Sequence, residues 1–281
     1  MRERLRTIRA AMSPADVIAV PLALVAVGLV FVCLLLRGIG VEPFITLFSV
    51  TVEQNVPTWY ASGLLLIAAV VAGAVGKLAP REPRGLRRGW FVLATLLAAL
   101  SLDDTAGLHE RFGDVGADLT NGASAGGLLH FTWVVPGFLG ACLIVLAVVQ
   151  LTRRLRTHAR RQLTFGIALF LGGALGLEMI SGVVLEAVGD GLAYALVTGL
   201  EELLEMLGVV VILRGMLQLV EVRRTGAGAL SLRYVDVRPR RAGSRSTSQP
   251  DPVDALESTP AAASPVPDLT APAASPVAHA V

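Results

Sequence analysis

Six apolar runs of about 20 residues restrict the fold of this chain more severely than any other feature. They lie at about 16–37, 59–78, 89–111, 131–151, 163–187 and 192–219. A run of that length crosses a hydrocarbon core of about 30 Å as an α-helix, because in lipid every backbone N–H and C=O must find its partner within the segment. Composition agrees: 54% of residues are hydrophobic and 16% are charged, where soluble domains carry about 25% charged residues. The expected class is all-α, a polytopic integral membrane protein with six transmembrane helices spread over residues 16–221. The first run is longer than the apolar core of a cleaved signal peptide and no A-x-A site follows it, so it is expected to stay as a span. Cys33 and Cys142 sit inside apolar runs and read as core filler rather than as a disulfide.

Net charge is +2, a sum that says little; the distribution says more. Basic residues crowd alternate connections. Residues 1–15 carry Arg2, Arg4, Arg6 and Arg9, the second connection carries Lys77, Arg81, Arg84, Arg87 and Arg88, and the fourth reads "TRRLRTHARR". The chain after Arg223 is basic again. By the positive-inside rule both termini face the cytoplasm of a cell membrane. Trp59 and Trp133 then fall at the outer interface and Trp90 at the inner one, as belt residues. Residues 222–281 are rich in Pro, Ala and Ser and are expected to be a disordered cytoplasmic tail. The expected partner is the lipid bilayer, with no nucleic acid; the number of subunits is not legible.

Several acids sit inside these apolar runs. At 1.5 Å per residue, Asp103 lies roughly 21 Å above the inner start of the third span and Glu178 roughly 22 Å into the fifth. Glu201 and Glu202 lie roughly 15 Å down the sixth from its outer end, with Glu205 a turn deeper. Three helices thus offer carboxylates at one level of the outer half. An ionised side chain at mid-bilayer costs about 2.5–3.5 kcal/mol, so these groups should face one another and a polar cavity open to the outside. His109 and Glu110 lie above Asp103, and His130 opens the fourth span on the same side. If the third helix runs unbroken to 111, Asp103 and Glu110 share a face, Asp104 shares one with Arg111, and His109 points elsewhere unless the helix bends near Gly107. Glu201, Glu202 and Glu205 fit within one arc, where like charges repel unless a proton or a cation intervenes. The connection around Glu53 is expected to lie along the interface, with Glu53 either solvated or dipping into the cavity mouth.

Common catalytic signatures are absent: there is no H-E-x-x-H, G-x-S-x-G, Walker loop or dinucleotide fingerprint. Oxygen-rich clusters suit hard ions, so the cofactor class indicated is a divalent cation. Three functions stay open. The cluster can hold a metal that activates water on a lipid or periplasmic substrate, relay protons or cations in a transporter or channel, or fasten a structural or assembly module. Few polar residues occupy the inner half, which weakens a through-route.

The stretches "EQNVPTWYASGLLL", "LDDTAGLHE" and "LEELLEMLG" resemble a group of uncharacterised bacterial six-helix membrane proteins, over roughly residues 40–215. Asp104 departs from that pattern, which is expected to read Asp-Glu. The resemblance implies six helices and a carboxylate–His constellation, and no activity.

Overall fold

The computed structural model describes residues 13–40, 44–52, 54–119, 126–224 and 229–235. Among the described residues the fold is all-α apart from one short hairpin. Its long rods are α1 (Pro14–Ile39), α3 (Val56–Leu78), α4 (Leu86–Ala106), α7 (Val134–Thr152), the continuous α8 (Thr157–Leu171), π-turn (Gly172–Leu177) and α9 (Glu178–Val188), and α10 (Leu192–Leu217). Short helices α2 (Phe44–Phe48), α5 (Leu108–Arg111) and α6 (Gly113–Leu119) fill the connections. Five of the rods are long and apolar enough to cross a membrane. The remaining one, α10, has 26 residues, about 39 Å of helix, but it carries Glu201, Glu202, Glu205 and Arg214.

Helix limits follow local chemistry. Ser13 and Asp16 form a reciprocal capping box ahead of α1, with Pro14 at its first position. Asn55 caps α3, with Pro57 in its first turn. Four rods lie within three residues of the expected spans, and the fifth starts six residues earlier, at Thr157. The third stops at Ala106 rather than 111 because Gly107 takes a left-handed φ of 57°.

The core is organised around α10, which packs against α1, α3, α8, the π-turn and α9. Small residues set the closest approaches, as expected where helices associate by van der Waals contact rather than by hydrophobic drive. At the crossing of α8 and α10, a Cβ added to Gly208 would lie 2.7 Å from the Gly166 carbonyl oxygen and 2.7 Å from the Phe170 nitrogen. Between α3 and α4, Ser62, Ser101 and Thr105 form a hydroxyl cluster with contacts of 2.6–3.0 Å. Large apolar side chains such as Phe31, Val70, Phe138, Leu139 and Phe165 point away from the core and are exposed.

Polar contacts separate the two ends of the bundle. At one end Arg214 Nε donates to Asp16 Oδ1 at 2.6 Å, Arg154 Nε donates to the Arg84 carbonyl at 3.1 Å, and His158 meets Gln218 at 2.8 Å. At the other, Arg37 binds Asp190 through its side chain and its carbonyl. The arginine-rich connections therefore share one end, and the described residues 49–52, 107–119, 126–133 and 186–191 the other.

Two expectations are corrected here. Trp90 is not a belt residue; it is fully buried, with its Cβ packed where Gly76 of α3 leaves room. The tail does not lose structure at 222: β1 (Val220–Arg224) pairs antiparallel with β2 (Leu230–Tyr234), and Tyr234 is buried against the core. That hairpin continues from α10 through a Val235 N–H bond to the Leu219 carbonyl. The expected disorder of 236–281 and the basic tail at 1–12 lie outside the described residues.

Candidate functional site

At the end of the bundle away from the arginines lies a cavity of about 730 Å³. Its walls include Asp103, Asp104, His109, His130, Glu178, Glu201, Glu202 and Glu205. These acids come from α4, α9 and α10, the three helices that the depth argument put at one level. Glu53 and the side chain of Glu110 lie outside the described residues.

The break at Gly107 builds the first part of the site. With the helix ended, the chain turns back and the His109 N–H donates to Asp103 Oδ1 at 2.7 Å, while the imidazole Nδ1 lies 3.3 Å from Asp103 Oδ2. Asp103 thus pairs with His109. The shared face of Asp104 and Arg111 is lost too; Asp104 lines the cavity and Arg111 is exposed. A single glycine supplies the left-handed turn that aims both Asp103 and His109 at one point.

From His109 the contacts continue across the cavity. Its ring centroid lies 4.9 Å from that of Trp133. Trp133 is therefore a wall of the site rather than an interfacial belt residue; Trp59, by contrast, is 75% exposed. Trp133 Nε1–H donates to Glu178 Oε1 at 3.0 Å, and Glu178 and Glu201 line the same cavity. Glu201 is only 8% exposed, and its Oε2 has no hydrogen-bond partner.

The π-turn before Glu178 shifts the register between α8 and α9 at the level of the site, a common use of π-bulges. There Gly173 rests on α10: a Cβ would lie 2.7 Å from the Glu201 carbonyl and 2.9 Å from Glu205 Cγ. The glycine lets the two acid-bearing helices approach backbone to backbone.

Two residues matter that the sequence does not single out. Glu186 accepts from the Gly127 N–H at 2.7 Å and meets His130 Nδ1 at 2.8 Å, pinning the loop that carries His130 and Trp133. The readable signal was an acid in the last turn of a helix, where the dipole disfavours it unless donors are near.

Asn55 is the second. Besides capping α3 through Thr58 N–H at 3.3 Å, its Nδ2 lies 2.5 Å from the Ser49 carbonyl and 2.6 Å from that of Val52. It folds the segment after α2 inward, so that Ser49 and Val50 are buried and Val50, Thr51 and Val52 line the cavity. This part of the connection thus contributes to the cavity wall, while Phe44, Leu47 and Val52 stay exposed. Asn55→Ala should cost about 1–2 kcal/mol, seen as a lower Tm with faster proteolysis between 44 and 52. Asn55→Asp should keep the cap and still release the segment.

Among the described residues, no three His, Cys, Asp or Glu side chains are arranged to hold a metal ion together. The lining contains no Lys or Arg among the described residues. No curated protein and no solved structure is significantly similar to the chain. One family model matches residues 17–219, from the start of α1 to the end of α10, and so takes in every residue of the cavity wall; the chain belongs to the family described as Domain of unknown function (DUF8692).

Proposed function

We propose that this is a six-span protein of the cytoplasmic membrane with both termini in the cytoplasm, and that its acid-lined cavity is a cation-binding site open to the outer side. Five long apolar rods, their exposed apolar faces and the gathering of arginines at one end support the spanning topology. In that topology α10 spans despite its glutamates, because they face the cavity and not lipid.

The observation that carries the binding reading is the charge imbalance of the wall. Asp103, Asp104, Glu178, Glu201, Glu202 and Glu205 line it, and no Lys or Arg does among the described residues. Buried acids need protons, donors or a cation, and the buried Glu201 Oε2 is an acceptor still without a donor. Toward the arginine end the core closes with Trp90, Leu93, Leu151, Leu163, Leu213 and Met216, all buried and apolar in their packing. A site reached from one side fits this better than a route through the bundle.

Labelling in intact cells tests the topology and the opening together. On a background lacking Cys33 and Cys142, Asp118→Cys should react with a membrane-impermeant maleimide and Arg160→Cys should not; both positions are exposed. The reverse pattern overturns the orientation and with it an outward cavity.

A further inference from the structure

The lining itself narrows the kind of cation, granted the cation-site reading above. A volume of about 730 Å³ lies within the range of sites for drug-sized organic ligands, about 300–1,000 Å³. A metal ion needs its donors within about 2–2.6 Å, and no trio of side chains among the described residues is so placed. Much of the wall is also apolar: Ile144, Phe170 and Leu175 contribute nothing to an inorganic ion but can bury hydrocarbon.

The polar part matches an ammonium. Glu201 is more than nine-tenths buried, lines the cavity, and has an Oε2 with no partner. Glu178 lines the same cavity and accepts the Trp133 indole N–H at 3.0 Å. An alkylammonium carries three N–H donors and no acceptor, which is the complement of two carboxyls on one cavity wall. Trp133 is clamped at its nitrogen by Glu178 and in ring contact with His109; a fixed indole next to acids is a good seat for an organic cation.

We propose that the cavity takes a protonated organic amine with an apolar body, its ammonium held by Glu178 and Glu201 beside Trp133 and its hydrocarbon against Ile144, Phe170 and Leu175.

The test uses the full chain in detergent, with thermal melting and tryptophan emission as readouts. The probes are n-hexylammonium, hexan-1-ol, methylammonium, and Mg²⁺, Ca²⁺ and Mn²⁺ separately. n-Hexylammonium should raise Tm saturably and change the emission, methylammonium should bind more weakly, and hexan-1-ol should do neither. Glu201→Gln should weaken n-hexylammonium about tenfold or more, and Trp133→Phe should remove the emission change. If a divalent metal stabilises the protein and n-hexylammonium does not, the amine is wrong while the cation site stands. Equal effects of n-hexylammonium and hexan-1-ol show that charge is not read, and the amine falls. No response to any cation sinks both. The wild-type comparison of amine and alcohol does not depend on any variant folding.

Discussion

Gly208→Val is expected to abolish the native bundle, giving aggregated protein on size exclusion and no cooperative melt. The cost follows from geometry. A Cβ at Gly208 meets Gly166 O and Phe170 N at 2.7 Å and Phe170 Cα at 3.0 Å, and one at Gly166 meets the Gly208 carbonyl at 2.8 Å. These neighbours are backbone, so no rotamer change relieves the clash; the axes of α8 and α10 must separate. Overpacking commonly costs about 1–3 kcal/mol, and a clash with rigid backbone at the central crossing belongs at or above the top of that range. Separation also forfeits the close backbone contact between the two helices. Gly28→Ala is the matched control. Its Cβ meets nothing within 4 Å, and Ala favours the helix by up to about 1 kcal/mol, so Tm should hold or rise. Should Gly208→Val melt with the wild type, the described crossing is wrong.

Glu178→Ala should have the largest effect within the site. It removes the acceptor of Trp133 Nε1–H. A polar group left without a partner costs about 1–3 kcal/mol. Tm should fall by a matching amount, and Trp133 emission should shift as the indole loosens from His109. Glu178→Gln separates packing from charge. Its amide still accepts from Trp133, so Tm should stay near wild type, while stabilisation by an added cation should drop. Were Gln and Ala to behave alike in both readouts, Glu178 would be neither a hydrogen-bond hub nor a charge that the cavity uses.

Much of the site was legible because depth along a helix is a one-dimensional quantity. A rise of about 1.5 Å per residue ranks Asp103, Glu178 and Glu201 by height without knowledge of packing, and the three helices do bring them to one cavity. What failed was angular. The extrapolation through "DDTAGLHE" assumed one continuous helix, since an isolated glycine within a helical pattern is usually tolerated. The left-handed Gly107 is fixed by a bond between Asp103 and the His109 N–H, a choice between local alternatives that spacing does not rank.

The aromatic residues failed for a related reason. Trp90 and Trp133 have the positions of belt residues along their helices, but which way a helix face points depends on its neighbours. Gly76 opens space for Trp90, and Glu178, 45 residues away, captures the Trp133 nitrogen. The hairpin was missed because a composition shift at 222 outweighs two five-residue strands, whose burial depends on Tyr234 reaching the core.

The sequence alone determined the number and approximate places of the rods, the end at which arginines gather, and the level of the acids, because each is set by length and charge along one chain direction. Only the tertiary structure decided who faces whom: Asp103 with His109, Glu178 with Trp133, Glu186 with His130, and α8 against α10 through bare backbone. Those pairings rest on helix rotation, on one left-handed glycine and on sub-ångström clearances, and none of these has a period in the sequence.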